Sequence, residues 1–182
     1  GYLWWLGSHL PAGADDLQPM AEPTADVLQH GQYLVQIGGC MGCHTAPGGD
    51  TLAGGGVVRT GFGVFYGSNL TPDEKTGLGT WSREDFANAM RYGIGKEGRL
   101  LFPSFPYEQY TALQQSDIDA MYLYLRSVPA VARERQLHQL EPGFGAQWAL
   151  ALWRGMYFRS DSQPSHIPPD DTVEYGGYLV KA

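Results

Sequence analysis

Between Ala25 and Gly38 the apolar positions Val27, Leu28, Tyr33, Leu34, Val35 and Ile37 recur at near-helical spacing, and Gly38-Gly39 breaks the run. This predicts a helix that stops just before Cys40. Gly31 lies inside it and costs helix stability, so its expected purpose is the close approach of another helix. Ser82 followed by Asp85 starts a second helix, with Phe86, Ala89 and Met90 along one face and Gly93 as its stop. Ser116 followed by Asp119 starts a third, on which Ile118, Met121, Tyr122 and Leu125 follow the i, i+3, i+4, i+7 pattern. Between the first two helices, Thr45 to Thr80 is Gly-rich and loop-like, including Gly54-Gly-Gly56 and Gly61-Phe-Gly63. A loop that long in a compact domain usually wraps a ligand. The pattern predicts a small all-α domain over residues 25–128, its first and last helices crossing at the Gly31 notch.

Outside that span the character changes. Residues 1–24 form an arm whose start, Gly1-Tyr-Leu-Trp-Trp-Leu6, is apolar and rich in interfacial aromatics yet far too short to cross a bilayer. It reads equally as the outer end of a membrane anchor or as an arm packing on the domain or on a partner subunit, and Ala12-Gly-Ala14 resembles the end of a signal peptide. Residues 129–175 carry one apolar helix, about Ala146 to Phe158, with Trp148, Trp153, Met156 and Tyr157, then a stretch with Pro164, Pro168 and Pro169. This is expected to be a linker that docks, since free linkers carry few aromatics. Residues 176–182 open a further segment.

Composition narrows the function. The chain has 182 residues, 43% of them apolar and 17% charged, so it can bury a core without staples. With 12 Lys and Arg against 19 Asp and Glu, it has no basic field for nucleic acid. Only two cysteines are present, too few for a disulfide scaffold, and they fall in Cys40-Met41-Gly42-Cys43-His44.

That spacing is the attachment pattern of c-type haem. Two thiols one helical turn apart can each add to a vinyl group of the macrocycle, and the next residue places an imidazole under the iron. A thioredoxin-like pair should follow a strand, whereas the segment before Cys40 reads as helix. A zinc site needs a second ligand pair, and His9, His30, His138 and His166 are scattered singly. A disulfide across two residues closes too short a loop to stabilise much. The expected cofactor is therefore covalent haem c on Cys40 and Cys43 with His44 as proximal ligand. Thioether linkage is made on the outer side of an energy-coupling membrane, which predicts a periplasmic chain, membrane-anchored or associated with a membrane complex.

Gly31-Gln-Tyr-Leu-Val35 recurs as Gly176-Gly-Tyr-Leu-Val180, 145 positions later. Applied to Cys40, the same offset points to position 185, so a second haem unit is expected to begin at residue 176.

The chain resembles the multihaem cytochrome c subunits of membrane-bound periplasmic dehydrogenases, the quinoprotein alcohol dehydrogenase type. The resemblance rests on Gly31-Gln-Tyr-Leu-Val35, Gly38-Gly-Cys-Met-Gly-Cys-His-Thr45, Leu52-Ala-Gly-Gly55, Phe62-Gly-Val-Phe-Tyr66, Ser68-Asn-Leu-Thr-Pro-Asp73, Thr76-Gly-Leu-Gly79, Trp81-Ser82, Asp85-Phe86, Phe102-Pro-Ser-Phe-Pro-Tyr107 and Tyr122-Leu-Tyr-Leu-Arg126. It implies a class I cytochrome c-like fold and electron relay from a periplasmic dehydrogenase subunit to quinone, cytochrome or a terminal oxidase. It also implies a distal methionine in a Pro-Ala-Met-Pro-Tyr motif, and there this chain departs: the matching residue is Phe105, which cannot ligate iron. Met90, 46 residues after His44, is the expected replacement, with core packing as the competing role. Met121 reads as core, Met41 belongs to the proximal side, and Met20 and Met156 lie outside the domain. Arg91, Asn69, Thr71 and Tyr66 are candidates for the haem propionates or the haem crevice, with ordinary solvation, turn bonding or packing as alternatives, and Tyr107 reads as a crevice residue.

Two other functions compete with electron transfer. Phe105 would leave an open distal site for a ligand sensor or a peroxidase-like enzyme, but no His lies between Ala53 and Tyr110 to act as a distal base. An apolar arm and a trailing segment would also suit a cytochrome filament.

Overall fold

The computed structural model describes His9, residues 19–160, Ile167 and residues 172–181. The expectations for the arm at residues 1–8 and 10–18, and for Pro164, Pro168 and Pro169, lie outside the described residues. In chain order the elements are α1 (Ala25–Ile37), α2 (Cys40–His44), β1 (Val57–Thr60), β2 (Gly63–Tyr66), α3 (Arg83–Tyr92), α4 (Gln115–Ser127), β3 (Gln139–Leu140), α5 (Gln147–Tyr157) and α6 (Thr172–Lys181). Short 3-10 turns sit at Lys96–Gly98 and Tyr107–Gln109. The chain folds as two compact units that interleave in sequence: one comprises Met20–Arg83 and Asp119–Gly145, the other Glu84–Ile118 and the described residues of Ala146–Ala182.

In the first unit α1 begins where Thr24 caps it, its hydroxyl accepting from the Val27 N–H at 3.4 Å. It ends at the predicted glycines: Gly38 N–H donates to Leu34 O at 2.9 Å, and Gly39, at φ +69°, donates to Gln36 O at 3.1 Å. Gly31 does serve a helix crossing. A Cβ there would lie 2.0 Å from Ala120 O and 2.9 Å from Tyr124 Cβ, so no side chain fits. Leu34, Val35, Leu52, Phe65, Leu78, Met121 and Leu125 are buried in this unit. Arg83 and Asp119 form a bidentate pair at 2.7 and 2.6 Å. The Tyr122 hydroxyl donates to Trp81 O at 3.0 Å and Arg126 Nη1 to Gly79 O at 2.5 Å, tying the 78–81 loop to α4.

The all-α expectation needs correction here, for the fold is helix-rich with a small three-stranded antiparallel sheet in the order β1-β2-β3. Val57 pairs with Tyr66 and Thr60 with Gly63 around the two-residue turn Gly61-Phe62, and β3 adds Gly63–Leu140 and Val64–Gln139 pairs. A Cβ on Gly63 would meet Gln139 O at 2.2 Å, so glycine is what lets β3 approach. The strands are four residues or shorter and only Phe65 is fully buried among β1 and β2, too little alternation to stand out from a loop.

In the second unit α3 is buried all round from Phe86 to Tyr92, rather than along one face. Gly93 stops it at φ +58°, and a Cβ there would lie 2.4 Å from the Tyr107 ring. The helix expected at about Ala146 to Phe158 forms over Gln147–Tyr157, with Leu150 and Ala151 packed among Tyr92, Ile94 and Leu100. The Gln147 amide grips the Leu100 backbone, accepting from its N–H at 2.8 Å and donating to its carbonyl at 3.1 Å. Asp117 Oδ2 accepts from the hydroxyls of Tyr175 and Tyr178 on α6 at 2.8 and 2.9 Å, and Tyr178 accepts from Gln114 N–H at 2.9 Å. Burial, reinforced by the Asp117 charge, raises the Tyr178 pKa above the ordinary phenol value.

Candidate functional site

Gly39 in the left-handed conformation turns the chain sharply out of α1 and into α2, the helix that is the Cys40–His44 motif itself. Cys40 and Cys43 stand three positions apart, one turn of helix, where side chains are neighbours, and both are free thiols. Burial, with a smaller contribution from Cys43, pushes the Cys40 thiol up to about 11, so it is protonated at neutral pH.

His44 ends the helix. Its Nδ1 lies 2.7 Å from Ser68 O. A carbonyl can only accept, so Nδ1 carries the proton and the Nε2 lone pair is left for a metal. Burial holds the imidazole pKa below its ordinary value, against the opposing effect of the Ser68 carbonyl, and so favours the neutral ring.

The Gly-rich segment explains how Ser68 reaches that place. Gly54 N–H donates to His44 O at 2.7 Å, Ala46 N–H to Gly54 O at 3.1 Å, and Leu52 N–H to the Thr45 hydroxyl at 3.0 Å. Gly55 and Gly67 then bond across, with Gly55 N–H to Gly67 O at 2.8 Å and Gly67 N–H to Gly56 O at 2.9 Å. A Cβ on Gly56 would lie 2.2 Å from Cys43 O, and one on Gly67 only 1.8 Å from it. These glycines exist because two backbone segments lie flush on the end of α2, and the next residue after Gly67 is the one whose carbonyl orients His44.

Asn69 and Thr71 bond within the loop and to Val131, which follows α4. Both Asn69 amide hydrogens are engaged, by Thr76 Oγ1 at 3.0 Å and Val131 O at 2.7 Å, and its Oδ1 accepts from Thr71 N–H and hydroxyl at 2.9 and 2.8 Å. Thr71 Oγ1 also accepts from Val131 N–H at 3.1 Å. Asp73 anchors the same turn, and its bonds from Thr76 hold its carboxyl below the usual range. Tyr66 sits half-buried on β2, where its N–H donates to His138 Nδ1 at 3.2 Å, while the His138 ring packs on Phe65. Cys40, Cys43, His44, Tyr66 and Asn69 thus share the first unit.

Met90 and Arg91 belong to the second unit, both buried on α3. The Arg91 guanidinium donates to Leu113 O at 3.2 and 2.8 Å and to Gln115 Oε1 at 2.6 Å, holding the chain as it enters α4. Phe105 is half-buried beside the rings of Tyr107 and Tyr110. Sequence reasoning missed Ser68, which acts through its backbone, and did not foresee that Gly54 to Gly56 lie on the motif helix. The glycine spacing was the available signal.

Two thiols one turn apart, followed by an imidazole with a fixed Nδ1–H and a free Nε2, are a donor set that fits covalent haem c. The sequence profile described as cytochrome c matches residues 28–129. The chain is 34% identical to a protein of the nicotinate dehydrogenase of Pseudomonas putida, with 97% of this chain and 16% of that protein aligned. It is 35% identical to the gluconate 2-dehydrogenase cytochrome c subunit of Pantoea cypripedii, over 85% of this chain and 36% of that one. It is 34% identical to the cytochrome c subunit of the quinone-dependent alcohol dehydrogenase of Gluconobacter oxydans, over 85% and 33%. The chain therefore spans between about a sixth and about a third of the length of these relatives. The profile match covers more than half of the chain and includes the whole Cys40–His44 helix, its Gly-rich support and α4, so the chain belongs to the cytochrome c family, whose members carry covalently bound haem c.

Proposed function

We propose that this chain is an electron-transfer unit of a periplasmic, membrane-associated dehydrogenase complex, taking electrons from a dehydrogenase subunit and handing them to quinone or another redox acceptor. The observation that carries it is the His44 imidazole, oriented by Ser68 O at 2.7 Å at the end of a helix bearing both thiols. Haem c supplies one-electron exchange at its iron; the chain supplies everything that holds it. Cys40 and Cys43 tether the macrocycle, and His44 presents Nε2 to the iron. Ser68 keeps the ring in one tautomer and raises its basicity as a ligand. The relatives named for nicotinate, gluconate and alcohol dehydrogenases support a dehydrogenase as donor. Thioether chemistry outside the membrane supports the compartment.

Met90 is the sixth ligand in this reading. Phe105 stands where a methionine is expected, and Met90 is buried on α3 at 46 residues from His44. When haem is bound, a thioether from Met90 would give it a higher potential than a second imidazole would, which suits an acceptor of dehydrogenase electrons.

The echo of α1 in α6 supports a second haem unit opening at α6. At Gly31 the notch is filled by α4, whereas an ideal Cβ on Gly176 has nothing within 4 Å and Val180 is exposed. A gene encoding a second Cys-x-x-Cys-His run near position 185 would agree with this, and a gene continuing without one would refute it.

The test of the main reading is anaerobic mixing of the haem-loaded chain with its substrate-reduced dehydrogenase partner. Rapid appearance of the reduced haem spectrum is expected. Its failure to appear while a small-molecule reductant still reduces the haem would overturn the donor assignment.

A further inference from the structure

Helix α5 buries Leu150 and Ala151, yet it turns a second apolar face outward. A surface helix normally buries its apolar stripe and exposes its charges. On α5 the one charged residue, Arg154, is buried, its guanidinium 4.6 Å from the Phe158 ring centroid and 5.4 Å from that of Tyr107, with Nη1 donating to Tyr92 O. Apart from Gln147 at its start, what it exposes is Trp148 at 63%, Leu152 at 38%, Met156 at 41% and Tyr157 at 63%. Trp148, Leu152 and Met156 recur every fourth residue and form one stripe. Beside it the rings of Trp153 and Tyr157 lie together with centroids 6.0 Å apart.

An apolar stripe flanked by Trp and Tyr is the chemistry of a lipid–water interface, where amphipathic rings sit at headgroup depth. The helix has 11 residues, about 16 Å, roughly half of a hydrocarbon core. Among the described residues no helix is long and apolar enough to cross a membrane. The fitting geometry is therefore a helix lying in the membrane plane.

Charge selects the kind of surface. The chain carries a net charge of −7, yet Ala146 to Ser160 contains no acid and, with Arg154 buried, its one exposed charge is Arg159. Exposed Arg159 follows the carboxy end of α5. Exposed Arg99 sits at the amino end, next to Leu100, whose backbone the Gln147 side chain holds at 2.8 and 3.1 Å. The Arg159 guanidinium donates to Phe158 O and Met156 O at 2.6 and 3.1 Å and so stays at the end of the stripe, and exposed arginines flanking an apolar face suit anionic lipid headgroups.

We propose that α5 is a membrane-surface contact. Trp148, Leu152 and Met156 enter the acyl boundary of an anionic leaflet, Trp153 and Tyr157 sit among the headgroups, and Arg99 and Arg159 pair with lipid phosphates. This contact rests on the membrane association proposed above but uses nothing of the haem motif, so its failure would leave the electron-transfer reading intact.

The test is co-sedimentation of the haem-loaded chain with vesicles, read as Soret absorbance in the pellet. One set of vesicles is phosphatidylglycerol with phosphatidylethanolamine, the other phosphatidylcholine alone. Wild type is expected to sediment with the anionic vesicles. The variant Trp148→Gln/Leu152→Gln/Met156→Gln should bind at least about tenfold more weakly with an unchanged haem spectrum and helix content. Arg99→Gln/Arg159→Gln should lose the preference for anionic lipid. Wild type remaining in the supernatant with both vesicles would overturn the proposal, as would a triple variant that sediments like wild type. So would a wild-type dimer that ignores vesicles and becomes monomeric in the triple variant, because the stripe would then be an interface between copies.

Discussion

Gly67→Ala tests how the proximal side is built. The added Cβ would lie 1.8 Å from Cys43 O, about 1.6 Å short of ordinary contact, and its obstacle is backbone rather than a flexible side-chain end. Either α2 or the Gly67 strand must shift, and both hold the same geometry. Moving the strand weakens the Gly67 N–H bond to Gly56 O at 2.9 Å and carries Ser68 O away from His44 Nδ1, now at 2.7 Å. Overpacking of this kind costs about 1–3 kcal/mol and one lost hydrogen bond adds about 1 kcal/mol, so the expected destabilisation is about 2–4 kcal/mol. In a chain of this size that lowers Tm by about 4–16 °C. The haem potential should rise as well, because an imidazole without its Nδ1 partner is a poorer donor. The assay is thermal and denaturant unfolding of the haem-loaded chain, followed by Soret absorbance and circular dichroism, with potentiometry beside it. Gly61→Ala is the control, since a Cβ there has nothing within 4 Å. If Gly67→Ala matched Gly61→Ala within about 0.5 kcal/mol and left the potential unchanged, the glycine cradle would not be what holds His44 in place.

Other outcomes follow from other parts of the molecule. Met90→Ala should convert a low-spin haem to a high-spin one that binds carbon monoxide, and an unchanged low-spin spectrum would assign Met90 to packing. Arg83→Met should cost about 2–3 kcal/mol in denaturant titrations because it removes the guanidinium paired with the buried Asp119 carboxylate at 2.6 Å. Arg83→Met/Asp119→Leu should recover much of that loss, and a double variant no better than the single would contradict it. Tyr178 has its pKa raised above the ordinary phenol value of 10.0 by burial and by Asp117, so the fold favours the protonated phenol. Its contribution to stability is therefore full below pH 10 and declines as pH rises above it. Alkaline unfolding monitored by circular dichroism should be shallower in Tyr178→Phe, and curves of equal slope would exclude the tyrosine as the cause.

Helices α1 and α4 were readable from their periodic faces, and α3 from its Gly93 stop although it is buried all round. Thr24, Gly38-Gly39 and Gly93 mark ends that local rules describe, and Gly31 stood out as a costly residue in a helix interior. The sheet was not readable, since β1 and β2 have four residues each and Gly61, Gly63 and Gly67 look like loop punctuation. Gly63 and Gly67 answer to Gln139 O and Cys43 O, partners far away in the chain. At the site, Cys40, Cys43 and His44 declare themselves because side-chain chemistry at fixed spacing is a sequence property. Ser68 acts through a carbonyl, which any residue could offer, so only coordinates reveal it. Asn69 and Arg91 looked available for an anion because their side chains are polar, and the structure uses them instead on Val131, Thr76, Leu113 and Gln115. On α5 the same limit appears in reverse: the sequence shows an apolar helix with one arginine, and only burial shows that the arginine points inward.

The central claim is that Cys40 and Cys43 carry haem through thioether bonds with His44 beneath the iron. The most direct measurement is intact mass and peptide mapping of the chain produced in a periplasm competent for c-type haem maturation, after extraction with acidic acetone. One haem should stay attached through extraction and map to the peptide containing Cys40 to His44. Haem removed by the solvent, leaving both cysteines as free thiols, would contradict it.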